Sequence, residues 1–162
     1  MSYETFRNPG KYFSLTFEGS PQERVAPHSG ETHWWGGAES QNENILNVDS
    51  ANIGAGAVVD FWTWYFIEEG WDYGFVEAQV GGNWVTVPLF SGSTEVTTDD
   101  NPHENNTEGN GLTGTSGGAY FVDEPEYVHL TGTLPVGTTN VRFRYSTDAG
   151  YLDGREPAFL LA

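Results

Sequence analysis

The chain contains no cysteine and only one lysine, Lys11, and both deficits limit its chemistry. Without cysteine, disulfide bonds, thiol catalysis and cysteine-bound zinc are excluded. Only 6 basic residues stand against 23 acidic ones, which gives a formal net charge of −17. Because so few cations cannot form a basic surface, we expect neither nucleic acid nor an anionic membrane as a partner.

Long apolar runs are also missing from the sequence. No run approaches membrane-spanning length, and Met1 to Lys11 has no apolar signal core, so we expect no membrane insertion. A chain of 162 residues suits one domain with a sizeable core. We therefore expect residues 1–162 to form a single domain, as a fragment of a longer chain.

Helical periodicity is nearly absent, whereas apolar residues alternate with polar ones at a period of two in segment after segment. This pattern predicts about eight or nine strands. The clearest cover residues 13–17, 58–67, 74–80, 84–89 and 140–146. Ala158 to Ala162 is expected to begin a last strand that is cut short. The predicted fold class is all-β, a jelly-roll β-sandwich of two antiparallel sheets.

The segment Asp60 to Val80 holds three of the six tryptophans. It predicts two long strands joined at Glu69 to Asp72 as the central β-hairpin, with Trp62 and Trp64 in the core. The segment Phe90 to Gly118 is polar and rich in glycine. Loops of that length are often functional or mobile, and we expect this segment to be such a loop.

No catalytic constellation emerges from the motifs. Gly114 to Gly118 matches the G-x-S-x-G nucleophile pattern, but that pattern requires a strand before it and a helix after it. Here a polar loop precedes it and a strand pattern follows. His103-Glu104 begins like a zinc-binding helix, but the second histidine is missing. We therefore assign no catalytic residue and predict a non-catalytic domain.

Acidic residues near strand ends are candidates for calcium ligands, because calcium prefers six to eight hard oxygen ligands. We predict Glu18, Asp49 and Asp72 as metal ligands of a structural Ca²⁺ site. Further candidates are Glu68, Glu69, Asp148 and Asp153, because loops at one end of a sandwich can bring such residues together. The alternative is an acidic, solvated surface adapted to high salt.

Aromatic side chains beside loops suggest a second type of site. Trp34, Trp35 and Trp71 are candidates for ligand binding, because exposed rings on a β-sandwich can stack on sugars. Asn105-Asn106-Thr107 matches the acceptor pattern for N-glycosylation and lies in the expected loop.

Several separated motifs together resemble one family. The motifs are Phe61-Trp-Thr-Trp-Tyr-Phe-Ile-Glu-Glu-Gly-Trp-Asp-Tyr-Gly-Phe-Val-Glu77, Asn83-Trp-Val-Thr86, Gly111-Leu-Thr-Gly-Thr-Ser-Gly-Gly118, Val141-Arg-Phe-Arg-Tyr-Ser-Thr-Asp-Ala-Gly150 and Phe159-Leu-Leu-Ala162. This order is similar to the jelly-roll domain of immune-inhibitor-A-like (M6 family) secreted metallopeptidases.

The resemblance implies a non-catalytic, secreted or cell-surface accessory domain, with peptidase domains of the same chain as its partners. It also implies likeness to MAM and carbohydrate-binding modules, which often carry calcium, with an acid at the end of the first strand, here Glu18, among the ligands. The alternatives are a carbohydrate-binding module with a glycan ligand, and a subunit of a cell-surface assembly with a surface protein as partner.

The salt-adaptation hypothesis predicts an unusual response to potassium chloride. Debye screening of surface charges is nearly complete at about 0.5 M salt. We expect the melting temperature to keep rising well beyond that concentration, as measured by circular dichroism. A flat melting temperature above it would exclude this explanation of the acidic surface.

Overall fold

The computed structural model describes residues 26–37, 39–48, 53–117, 126–150 and 158–161. These residues form strands joined by turns, and none of them lies in an α-helix. No helix in these ranges therefore has the length and hydropathy to cross a membrane. The strands are β1 (Trp34–Trp35), β2 (Glu43–Val48), β3 (Val58–Ile67), β4 (Tyr73–Val80), β5 (Asn83–Thr86), β6 (Phe90–Ser91), β7 (Thr94–Glu95), β8 (Gly114–Thr115), β9 (Val128–Thr133), β10 (Thr138–Ser146) and β11 (Ala158–Leu161).

The strands form two antiparallel sheets. A seven-stranded sheet has the order β1-β11-β3-β9-β6-β7, with β8 pairing with the end of β3. A four-stranded sheet has the order β2-β10-β4-β5. The predicted fold class, an all-β sandwich of two antiparallel sheets, is confirmed. The predicted strand over residues 13–17 lies outside the described residues.

The core lies between the two sheets and follows the alternation of the strands. Side chains of β3 and β9 face those of β4 and β10 across the sandwich, because every second residue of a strand points to the same side. These core residues include Phe61, Tyr65, Ile67, Leu130, Val76, Ala78, Val141, Phe143 and Tyr145. Phe61 and Phe143 meet edge to face with ring centroids 5.0 Å apart.

The prediction that β3 and β4 form a central hairpin is wrong. β3 pairs with β11 and β9 in the seven-stranded sheet, whereas β4 pairs with β10 and β5 in the four-stranded sheet. The turn between them carries the chain from one sheet to the other. The hairpin that the sequence does form joins β4 to β5 through Gly81 and Gly82, whose φ angles of 59° and 87° suit a two-residue turn.

The two tryptophans of β3 differ in burial. Trp64 is buried as predicted, with 7% of its surface exposed, but Trp62 leaves 37% exposed and the prediction that it lies in the core is wrong. Both point away from Phe61 and Tyr65, because they occupy the alternate positions of the strand. The outer face of β3 is therefore partly open although most of its residues, all but Asp60, are apolar.

The segment expected to be a long loop is largely a cover for the four-stranded sheet. Tyr73, Phe75 and Glu77 alternate with the core residues of β4 and so lie on the outer face, yet they are 1%, 0% and 3% exposed. The Tyr73 hydroxyl donates to the Asp100 carbonyl at 3.3 Å, and Gly74 bridges to Leu112. The backbone of the segment therefore shields this face from solvent.

A buried charge cluster lies beneath the cover. Glu77 accepts hydrogen bonds from Nε of Arg142 and, at 2.9 Å, from Nε of Arg144. The Arg144 guanidinium also lies over the ring of Phe75, 4.1 Å from its centroid. Because a buried charge is costly unless it is paired, these contacts explain how Glu77 can be buried.

Candidate functional site

The turn between β3 and β4 is held by the carbonyl group of Glu68. This oxygen accepts hydrogen bonds from the backbone N–H groups of Trp71 at 3.2 Å and Asp72 at 3.0 Å. Gly70 has a φ of 78°, a left-handed conformation that glycine adopts without strain. The turn therefore has a defined shape at one end of the sandwich.

Thr113, next to β8, fastens the turn from outside. Its hydroxyl donates to the Glu68 carbonyl at 3.1 Å and accepts from the Gly70 N–H at 3.1 Å. A Cβ atom at Gly70 would lie 3.1 Å from Pro102. The segment that covers the four-stranded sheet thus also supports the turn.

Asp148 reaches the same place from the end of β10. Its backbone N–H donates to Oδ1 of Asp72 at 2.8 Å. Its own Oδ1 accepts from the Gly150 N–H at 2.6 Å, and its carbonyl accepts from the Gln41 N–H at 2.6 Å. These bonds hold the Asp148 carboxylate beside the turn.

Three carboxylates converge as a result, and we call Glu68, Asp72 and Asp148 the acidic corner. One carboxylate oxygen of each lies within 4.8 Å of one of each of the others. Asp72 is 3% exposed, whereas Glu68 and Asp148 are half-buried. In the described part of the chain, no lysine, arginine or histidine forms an ion pair with any of the three.

The electrostatics of the acidic corner disfavour three negative charges together. Burial, and then the charges of Asp148 and Glu68, raise the pKa of Asp72 from its ordinary 3.8 to about 6, against a lowering effect of the hydrogen bond from Asp148. Burial and Asp148 also raise the pKa of Glu68, whereas His103 lowers it. Burial, followed by the negative charges of Asp72 and Glu68, raises the pKa of the Tyr145 phenol.

Chemically, the acidic corner offers hard, anionic oxygen donors and no nitrogen or sulfur donor. Such a set suits calcium, which takes carboxylate, carbonyl and water oxygens in a flexible arrangement. Zinc sites instead use histidine and cysteine for most of their ligands. The donor set therefore fits the cation class that the sequence predicts.

The structure places the predicted metal ligands unevenly. Asp72 lies in the acidic corner, while Glu18 and Asp49 lie outside the described residues. Glu69, a further candidate, is exposed and does not join the group. Glu68 and Asp148 complete it, and their shared signal in the sequence is that each lies within two residues of the end of a long strand.

The predicted ligand-binding tryptophans also differ from one another. Trp34 is half-buried and packs against the core, whereas Trp35 is 54% exposed. Trp71 is 39% exposed, and the His103 ring stacks on it with centroids 3.4 Å apart. Of these three candidates, Trp35 and Trp71 are therefore the exposed ones.

The outer face of β3 carries an aromatic group that sequence reasoning missed. Trp62 stacks on His28, with centroids 4.1 Å apart, and on His129, with centroids 5.1 Å apart. Nε2 of His129 also lies 2.7 Å from Oδ1 of Asp60. The pairing of β3 with β9, which places Trp62 opposite His129, creates this group.

The raised pKa of Asp72 predicts a stability difference that depends on pH. Since the pKa is raised in the folded state, the ionised carboxyl costs stability above pH 6, and the cost disappears as pH falls towards 4. In excess chelator, we expect Asp72→Asn to stabilise the protein by about 1–3 kcal/mol at neutral pH and to have little effect at about pH 4. Urea denaturation across this pH range measures the difference.

Glu69→Gln is the matched control, because Glu69 is an exposed acid of the same turn. We expect it to change the free energy of unfolding by less than about 0.5 kcal/mol at every pH. An effect of Asp72→Asn that does not vary with pH would contradict the electrostatic picture of the acidic corner.

Comparison with known proteins adds no relative. No family model matches the chain, and neither a curated protein nor a solved structure matches it. The fold and the geometry of its sites are therefore the basis for the function.

Proposed function

We propose that this chain is a non-catalytic accessory domain that holds a structural Ca²⁺ ion in its acidic corner. The observation that carries the proposal is the convergence of Glu68, Asp72 and Asp148, with carboxylate oxygens within 4.8 Å of one another. Three acids so close, one of them buried, repel each other in the folded state. A divalent cation would replace that repulsion by attraction.

The position of the acidic corner indicates what the ion would do. Glu68 and Asp72 flank the turn that joins the two sheets, and Asp148 follows the central strand β10. An ion bound to all three would link the seven-stranded sheet to the end of the four-stranded sheet. Its role would be structural, because it would hold in place the loop that follows β10 and the end of the sandwich where the chain crosses from one sheet to the other.

The context of the domain is part of the same proposal. The aromatic segment and the later motifs resemble the jelly-roll domain of M6-type secreted metallopeptidases, so the partners would be peptidase domains of the same chain. A location outside the cell suits a structural calcium site, since extracellular modules bind calcium with dissociation constants of about 10⁻⁴–10⁻³ M.

Calcium should stabilise the wild-type protein after treatment with chelator. A ligand that binds only the folded state at about 100 times its dissociation constant adds about 2.7 kcal/mol. We expect a rise in melting temperature on titration with CaCl₂ at constant ionic strength, and heat of binding in calorimetry. Asp72→Asn and Glu68→Gln should abolish both, whereas Glu69→Gln should retain both.

The variant Asp72→Asn distinguishes calcium bound at the acidic corner from calcium that only screens the negative surface charge. It should stabilise the metal-free protein at neutral pH and yet lose the increment from calcium. If calcium at several millimolar neither binds nor changes the melting temperature of the wild type, the structural calcium site is excluded. An equal response in Glu68→Gln and the wild type would place the ion elsewhere.

A second candidate function is carbohydrate binding, favoured by the exposed ring of Trp71 beside the acidic corner. Trp71 is 39% exposed, and its stacking on His103 holds the ring in place. Rigid aromatic rings bind sugars with little loss of conformational entropy. Binding through this ring should quench tryptophan fluorescence in the wild type and not in Trp71→Ala, with Trp35→Ala as the control. If no glycan of a broad panel quenches the fluorescence, carbohydrate binding is excluded.

A further inference from the structure

We propose that Asn105 is an attachment site for an N-linked glycan. Asn105, Asn106 and Thr107 form the only Asn-x-Ser/Thr triplet without a central proline in the sequence. A triplet of this kind occurs often by chance, so the case depends on how the fold presents it. This inference is independent of the calcium site.

Asn106, the middle residue of the triplet, is buried and holds the turn in place, whereas its two neighbours are exposed to solvent. Asn106 is 2% exposed, and its Nδ2 donates to the carbonyls of Thr98 at 2.8 Å and Asp100 at 3.0 Å. Its backbone N–H donates to Oδ1 of Asn101 at 2.7 Å. Asn105 and Thr107, the two residues that define the acceptor pattern, are both exposed.

The turn before the acceptor also favours exposure. Glu104 has a φ of 65°, a left-handed conformation, and its backbone N–H donates to the Asn101 carbonyl at 3.5 Å, so a turn lies just before Asn105. The Asn105 amide donates one hydrogen bond, from Nδ2 to the Trp71 carbonyl at 3.0 Å. Because Nδ2 carries two hydrogens, replacing one by a sugar carbon leaves the other for this bond.

The reaction is a group transfer with a simple balance. A bond forms between Nδ2 of Asn105 and the anomeric carbon of the sugar. The bond between that carbon and the phosphate oxygen of a lipid-linked oligosaccharide diphosphate breaks. The amide loses a proton, the lipid diphosphate leaves with the electron pair, and no oxidant or reductant takes part.

The place of the site in the fold determines what a glycan would do there. Asn105 lies on the segment that covers the four-stranded sheet, and its hydrogen bond to Trp71 places it next to the acidic corner. A glycan at this point would extend into solvent beside Trp71, which is 39% exposed. In the glycosylated protein it would hinder the carbohydrate binding through Trp71 that is the second candidate function.

The test is expression of the full chain behind a cleavable secretion signal in a eukaryotic host. We expect an intact mass raised by one oligosaccharide, which an amidase specific for N-glycans removes, leaving aspartate in place of Asn105 in the peptide map. Thr107→Ala should abolish the modification although Asn105 is intact. Thr107→Ser should retain it, because serine preserves the acceptor pattern.

A second exposed turn of this chain supplies a positive control. Gly92→Asn creates an acceptor triplet with Ser93 and Thr94. Gly92 has a φ of 61°, which asparagine tolerates, and a Cβ atom there would meet nothing within 4 Å. If Gly92→Asn is glycosylated in the Thr107→Ala background while the wild type is not glycosylated at all, Asn105 is no acceptor and the proposal is wrong. Modification that persists in Thr107→Ala overturns it equally.

Discussion

The turn from Glu68 to Asp72 is the constraint on which the rest of the molecule depends. Three donors, the backbone N–H groups of Trp71 and Asp72 and the Thr113 hydroxyl, bind one carbonyl oxygen, that of Glu68. This set of bonds directs β3 and β4 into different sheets, so their apolar faces meet across the core. The same bonds hold the carboxylates of Glu68 and Asp72 at the end of the sandwich where the chain crosses between the sheets. Fold and candidate site thus share one local geometry.

Alternation along the chain was enough to predict the fold class and the longest strands. The bounds of β3 match the apolar run Val58 to Ile67, and Val141, Phe143 and Tyr145 point to the core as their spacing requires. Periodicity of two assigns a face to each residue but does not identify the partner of a strand. The sequence therefore predicted a hairpin where the chain in fact changes sheets.

Alternation along a strand also does not show which outward-facing residues are buried, and the physical cause is related. Alternation puts Phe75 and Glu77 on the outer face of β4, yet both are buried, because Arg142 and Arg144 lie against them. The cover itself is polar and rich in glycine, so it has no periodic signal, and side chains such as Asn106 hold it through bonds to carbonyl groups. Trp62 shows the opposite case, an apolar residue whose face stays partly open.

The acidic corner was predictable only in part. Its members lie within two residues of a strand end, a feature visible in the sequence, but such positions do not single them out in a chain with 23 acids. Asp72 belongs both to the predicted set of ligands and to the acidic corner, and Glu68 was a further candidate. The pairing of β10 with β4, in which Ser146 lies opposite Tyr73, brings Asp148 to Asp72, and no local pattern encodes that pairing.

The distance along the chain between the members of the acidic corner has a consequence for kinetics. The hydrogen bond from Asp148 to Asp72 joins residues 76 positions apart, so the corner closes a large loop. The β10–β4 ladder, in which Ser146 lies opposite Tyr73, closes that loop, so we expect the contact to form only once this ladder has formed. A contact formed after the transition state leaves the folding rate unchanged and slows unfolding when it is strengthened. A cation held there would thus slow the unfolding of the domain and leave its folding rate unchanged.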